Sequence, residues 1–191
     1  MSSSVQTDNT PGYQVRFALP DDLESARATM LRVLDEDLKT GFVPKWHADL
    51  DRLNEVYLES PRNALFVAVD DISGQTVGTC AVRPGGPWSP PHPAWLAEKY
   101  DNDETAQIFR VYIAREHRRR GAARALVNAA ARWIATEPGY RVIYLHTNPT
   151  VPGAEAFWRS MPTTEIYDDR GTRSDGGAAV HFELAISSIT N

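Results

Sequence analysis

A chain of 191 residues with 42% hydrophobic and 24% charged side chains has an ordinary globular composition and enough length to bury a sizeable core. Its formal net charge of −5, from 20 basic and 25 acidic side chains, leaves no basic excess to neutralise a run of phosphates, which argues against general nucleic-acid binding. A single cysteine, Cys80, rules out an internal disulfide. No apolar run nears the roughly 18 residues of a membrane span and Met1–Gly12 lacks a signal-peptide core, so a reducing, cytoplasmic setting away from membranes is expected.

Met1–Gly12 is polar and reads as a disordered tail, with a single domain from residue 13 to residue 191. Tyr13–Leu19 alternates like a strand and ends at Pro20. Asp21 or Asp22 then caps a helix carrying the stripe Leu23, Ala26, Met30, Leu31 and Leu34. A second helix is expected over Lys45–Leu58, with Leu50, Leu53, Val56 and Tyr57 facing inward. Ala64–Val69 and Thr76–Val82 read as a hairpin around Asp70–Gln75. Pro84–Asp103 carries five prolines, two glycines and two tryptophans, too many breakers for a central strand, and reads as a long functional loop. Its exposed Trp88 and Trp95 suit either a lid or a contact between two copies in a homodimer.

Gln107–Ile113 is a β-branched and aromatic strand. A basic turn follows, with five arginines within Arg115–Arg124 and Gly121 where the chain must bend. From Ala122, the residues Ala122, Leu126, Ala129 and Trp133 recur at helical spacing up to the stop at Pro138-Gly139. A helix N-terminus offers unpaired N–H groups and partial positive charge, and a glycine there admits a ligand close to the backbone. That combination binds phosphate. Arg141–Thr147 is a further strand, Gly153–Ser160 a short helix, and Thr163–Tyr167 and Ala178–Ile186 the last strands, joined by the Asp168–Gly177 loop. The order describes a mixed α/β layer architecture.

Arg118-Arg119-Arg120-Gly121-Ala122-Ala123 fits the pattern Gln/Arg-x-x-Gly-x-Gly/Ala. Set between the QIFRVYI strand and a long helix, then YLHTNP and PGAEAFWRSM, it resembles the GNAT superfamily of N-acetyltransferases. The resemblance spans Tyr13 to Ile186. It implies a twisted, mostly antiparallel sheet of about seven strands with a splayed fourth strand, flanked by about four helices. It also implies acetyl-CoA as acyl donor and an amine as acceptor. By family position Val111, Tyr112 and Ile113 pair with the pantetheine arm. Arg118, Arg119, Arg120, Gly121, Ala122, Ala123 and Arg124 wrap the pyrophosphate, and Asn148 touches the coenzyme. The backbone N–H of Ile113 is the expected donor to the thioester carbonyl.

Acetyl transfer needs a neutral amine, and deprotonating a lysine-like amine of pKa ~10.4 at neutral pH costs roughly 4–5 kcal/mol. Many histone-type members carry a glutamate base on the fourth strand; here that position is Gln107, which cannot take a proton but can hold a water. Many also carry a tyrosine acid after the fifth strand; here the stretch reads Phe157-Trp158-Arg159-Ser160-Met161-Pro162. His146 is the remaining neutral-pH titrator on a core strand and, with Gln107, the candidate for the proton chemistry. The hydroxyls of Tyr112 and Tyr144 are alternatives for the missing acid. His47, His92, His117 and His181 show no metal-ligand spacing with one another or with Cys80, so no metal is expected. Asp35, Glu36 and Asp37 form either an acidic wall beside the acceptor or a solvated helix end.

Two functions compete. One is an acetyl-CoA-dependent N-acetyltransferase acting by direct transfer on an amine of a small molecule or protein. The other is a catalytically degenerate acyl-CoA-binding sensor or interaction module, suggested by Gln107 and Trp158. The enzyme is the preferred expectation.

Overall fold

The computed structural model describes residues 8–173 and 175–185. In chain order its elements are β1 (Asp8–Thr10), β2 (Tyr13–Phe17), α1 (Leu23–Glu36), α2 (Pro44–His47), β3 (Ala64–Asp70), β4 (Thr76–Pro84) and α3 (Ala94–Tyr100). There follow β5 (Thr105–Ile113), α4 (Ala122–Thr136), β6 (Val142–Thr147), α5 (Ala154–Arg159), β7 (Thr163–Asp168) and β8 (Val180–Leu184). This is the mixed, mostly antiparallel α/β class expected, with one parallel pairing, β5 with β6. The expected tail supplies a strand: Asp8–Thr10 pairs with β2, so there are eight strands among the described residues rather than about seven. Ile186, the expected end of the last strand, and the tail before Asp8 lie outside the described residues.

Two compact units are distinguished. The first holds the described residues up to Val82 together with Arg110–Ala130. Its β1, β2, β3 and β4 form an antiparallel meander, with Tyr13 opposite Asp70, Phe17 opposite Phe66 and Ala64 opposite Val82. Val67, Ala68, Cys80 and Ala81 are buried on both faces of the hairpin, so these strands read as continuous apolar runs rather than alternating ones. Cys80 is wholly buried, and burial pushes its thiol far up, which makes it an inert small apolar residue. Helix α1 buries Ala26, Thr29, Met30, Val33 and Leu34. Asp22 does not cap it. The Asp22 carboxylate instead accepts the Leu19 N–H at 2.7 Å and pairs with Arg16 at 2.5 Å.

The expected helix over Lys45–Leu58 is broken into three pieces: α2, a 3-10 turn at Ala48–Asp51 and a π turn at Asn54–Leu58. The cause lies in its carbonyls. Arg110 Nη2 donates to Trp46 O at 2.8 Å and Arg27 Nε to Leu50 O at 3.0 Å, so side chains from elsewhere take acceptors that a regular helix would keep for its own N–H groups. Leu50, Leu53 and Tyr57 are buried all the same.

The second unit holds Arg83–Phe109 and the described residues from Ala131 onward. Within it the neighbour order is β5, β6, β8, β7. The parallel ladder joins Thr105 to Val142, Ala106 to Ile143 and Gln107 to Tyr144; β6 and β8 then pair antiparallel with His146 opposite His181. The supposed loop Pro84–Asp103 contains α3. Leu96 and Tyr100 of that helix are fully buried against Tyr144, at a helical spacing of four that the surrounding prolines obscured. Among the described residues no helix is long and apolar enough to cross a membrane.

Candidate functional site

In the first unit, β5 runs through a 3-10 turn at Arg115–His117 into α4, and the loop between them takes its shape from two left-handed residues. Arg119 has φ +61° and Gly121 φ +89°. Such a conformation suits glycine and is uncommon for arginine. A side chain at Gly121 would touch only Thr10 Cγ2 at 3.4 Å, so backbone conformation rather than crowding calls for glycine there. The first intrahelical bond of α4 is Ala125 N–H to Gly121 O at 3.0 Å, which places the N–H groups of Ala122, Ala123 and Arg124 ahead of it at the positive end of the helix.

The five arginines divide into two kinds. Arg118 is a scaffold residue: its Nε donates to Ile113 O at 2.9 Å and its two terminal nitrogens grip the Asp37 carboxylate. Arg115 reaches the same carboxylate at 2.9 Å. The Arg118 hydrogen bond, opposed by desolvation and helped by Arg115, holds the pKa of Asp37 below the usual carboxylate value. The acidic segment after α1 is therefore neither an open wall nor a solvated end at Asp37; it ties down the basic loop. Arg119, Arg120 and Arg124 are exposed. His117 is held by a Tyr13 hydroxyl 3.2 Å from its Nδ1.

Val111 and Tyr112 are half-buried and Ile113 is buried. Close packing beneath Ile113 depends on Gly78 of β4, where a Cβ would lie 2.6 Å from Ile113 Cδ1 and 3.2 Å from Leu126 Cδ1. Arg110, three residues earlier, is left-handed at φ +53°, the kink that sequence reasoning missed. Its carbonyl accepts the Thr79 hydroxyl at 2.9 Å and Ala114 N–H reaches Val77 O at 2.9 Å, so the strand is held to β4 on both sides of Ile113.

The second unit gathers Gln107 and His146 into a buried polar layer. Gln107 is 1% exposed, and its Oε1 accepts Arg83 Nε at 2.8 Å. His146 is half-buried, with Nδ1 3.1 Å from the Tyr144 hydroxyl, which also lies 2.7 Å from Nδ1 of His181. His181 Nε2 faces Asp169 Oδ2 at 3.4 Å, and the His92 ring lies tilted against that of His146, with centroids 4.6 Å apart. If His181 Nε2 carries the proton and gives it to Asp169, Tyr144 donates to His181 and accepts from His146 Nδ1–H. The lone pair of His146 then sits on Nε2. Burial, with the charges of His92 and His181, holds His146 well below the usual imidazole pKa, and burial pushes the Tyr144 hydroxyl up. Asn148 is exposed and its Oδ1 accepts both the N–H and the hydroxyl of Thr150, an Asx turn that shapes the chain after β6. Trp158 is buried core, with no proton to give a thiolate.

His92, Asp169 and Tyr144 were invisible as a group in the sequence. Only the pairing of β6 with β8 and the fold of the Pro84–Asp103 segment bring them to one place.

The comparisons with known proteins agree with this architecture. The family model "Acetyltransferase (GNAT) family" matches residues 31–161. Mouse N-acetyltransferase 8 is 31% identical over 145 residues, covering 74% of this chain and 58% of its own length, so the chain spans less than two thirds of that relative. Among solved structures, a GNAT-family acetyltransferase from Staphylococcus aureus Mu50 superposes with a TM-score of 0.67 at 14% identity, over 91% of this chain and 99% of that one. Spermidine N-acetyltransferase from Vibrio cholerae, in complex with CoA and spermine, gives 0.64 at 17% identity, over 94% and 99%. At these identities the structural likeness is one of fold.

Proposed function

We propose that this chain, which belongs to the acetyltransferase (GNAT) family, is an acetyl-CoA-dependent N-acetyltransferase acting directly on an amine of a small molecule or protein. One observation carries the donor half of the reading. A left-handed glycine, Gly121, opens a long helix whose first N–H groups are followed and preceded by exposed arginines, a geometry that fits a pyrophosphate and leaves the backbone approachable. Val111, Tyr112 and Ile113 are the proposed partners of the pantetheine arm. The proposed pyrophosphate contacts are Arg119, Arg120, Gly121, Ala122, Ala123 and Arg124, with Arg118 shaping the loop, and Asn148 is a proposed coenzyme contact.

In the reaction the amine nitrogen bonds to the thioester carbon and gives up one of its protons, the carbon–sulfur bond breaks, and coenzyme A leaves as the thiolate, which takes up a proton in its place. The Ile113 N–H is proposed to polarise the carbonyl. His146 Nε2 is proposed to accept a hydrogen bond from the incoming amine, directed by Tyr144 and His181. Gln107 is proposed to orient a water or the acceptor through its NH2 group, since an amide cannot take a proton and its oxygen already accepts from Arg83. The same reading carries a single acetyltransferase domain over residues 13–191, a cytoplasmic setting, and a lid or homodimer contact at Trp88, which is 60% exposed. Trp88→Ala, followed by both mass and acceptor KM, separates the last two.

The test of the donor site is calorimetry of acetyl-CoA with wild type and Gly121→Glu. Binding should weaken by at least tenfold; unchanged affinity sinks the phosphate assignment. The sensor reading is favoured by the engagement of Gln107 and the burial of Trp158. Coenzyme release over a panel of amines, followed with a thiol reagent, separates it from the enzyme: tight binding without release for any amine would leave the sensor.

A further inference from the structure

We propose that His92, Asp169 and His181 form a binding site for a divalent first-row transition ion, of the type zinc occupies. The ligand atoms His92 Nδ1, Asp169 Oδ2 and His181 Nε2 all lie within 4.8 Å of one another. His181 Nε2 stands 3.4 Å and His92 Nδ1 3.8 Å from the same carboxylate oxygen. Two ligands about 2.1 Å from a tetrahedral ion stand about 3.4 Å apart, so the two separations to Asp169 Oδ2 are already close to the spacing an ion needs, and the third lies within 4.8 Å.

Burial says the same. The His92 side chain is 10% exposed, and those of Asp169 and His181 are 0% exposed. His92 Nδ1 is buried without any hydrogen-bond partner. A buried nitrogen without a partner is costly, and a bound ion removes that cost. Two imidazoles and a carboxylate are the donor set that suits zinc and its neighbours rather than calcium or magnesium.

The surrounding groups orient the ligands. The Tyr144 hydroxyl lies 2.7 Å from the other ring nitrogen of His181, and Asp169 Oδ1 accepts the Ala179 N–H. A metal ligand of this kind normally has its second nitrogen or oxygen held in this way. Arg173 stands 3.8 Å from Asp169 Oδ2 and is itself occupied by Asp175 at 2.5 Å. With an ion on His181 Nε2, the His181 proton resides on Nδ1 and is donated to Tyr144, whose second lone pair accepts His146 Nδ1–H and so leaves His146 Nε2 its lone pair; the bound ion joins the Pro84–Asp103 segment to β8 and the loop before it. The spacing rule missed the site because its ligands come from three segments, with Asp169 and His181 12 residues apart and His92 far upstream.

The test uses the full chain with any purification tag removed, stripped with a chelator and titrated with Co²⁺ by visible absorption and with Zn²⁺ by calorimetry. One ion per chain should bind, and His92→Ala should weaken it by at least 100-fold, with Asp169→Asn doing the same. Zn²⁺ at 100 times its Kd should raise the wild-type Tm by roughly 5–10 °C and leave that of His92→Ala unmoved. His92 lies in a surface segment, so its variant tests binding even if Asp169→Asn fails to fold. His47→Ala, in the first unit, should bind like wild type. Absence of stoichiometric binding, equal binding by His92→Ala, or loss on His47→Ala would each overturn the site.

Discussion

Arg110 and Asp49 form a two-pronged ion pair, Nη2 to Oδ1 at 2.6 Å and Nε to Oδ2 at 3.0 Å, that holds a left-handed residue inside β5. The Arg110 side chain is 8% exposed, and the Tyr57 hydroxyl adds a third hydrogen bond to the carboxylate at 2.6 Å. A non-glycine residue at φ +53° costs on the order of 1–3 kcal/mol and persists where its surroundings over-determine it. Here the surroundings are a buried guanidinium held by the Asp49 carboxylate and the Trp46 carbonyl.

Burial alone would raise the pKa of Asp49, but the hydrogen bonds and charge of Arg110 reverse the shift, and it is lowered. A carboxylate depressed on folding stabilises the protein above its unfolded pKa of about 3.9, and that contribution is lost as pH falls through the lower folded value. Urea unfolding should therefore show stability falling below about pH 4. Asp49→Asn should lose about 3 kcal/mol at pH 7, because the buried Arg110 charge loses its carboxylate, and its acid limb should be flatter. An acid limb as steep as that of wild type would remove Asp49 from the account.

Gly78 is a packing requirement. Gly78→Val places carbon atoms inside the contact distance of Ile113 and Leu126, so the variant should lose about 1–3 kcal/mol by chemical denaturation. Stability equal to wild type would mean that β4 and α4 yield more readily than their packing implies.

The division of the arginines is open to a paired measurement. Arg118→Ala removes the bonds to Asp37 and Ile113 and should lower Tm by a few degrees, the partly exposed pair contributing about 1 kcal/mol. Arg120→Ala should leave Tm unchanged, raise the KM for acetyl-CoA several-fold and flatten its salt dependence. The reverse pattern would exchange the two roles.

Gln107→Glu installs the carboxylate that many histone-type relatives use. Its oxygen would stand against Arg83, which reaches Gln107 Oε1 at 2.8 Å, and a guanidinium so close holds a carboxylate ionised but weakly basic. Turnover should stay within about twofold of wild type, whereas His146→Ala should lower kcat about 100-fold with little change in acetyl-CoA KM. A large gain from Gln107→Glu would return the base to β5.

What the amino-acid sequence determined by itself is what depends on neighbours along the chain. Apolar runs and helical stripes specify β3 to β6, α1 and α4 because burial of one face is a property of local spacing. Gly121 at a strand-to-helix junction specifies a left-handed turn because few other residues accept one. Tertiary structure alone decided where charges and imidazoles meet: Asp37 with Arg118 across 81 residues, Asp49 with Arg110 across 61, His92 with Asp169 and His181. Two further long-range bonds, from Arg110 to Trp46 O and from Arg27 to Leu50 O, took carbonyls of the expected helix over 45–58. Ion pairs and buried polar groups choose partners by distance in space, and no periodicity in the chain records that distance. The sequence therefore located the basic loop ahead of α4, and the fold decided which of its arginines shape it and which face outward.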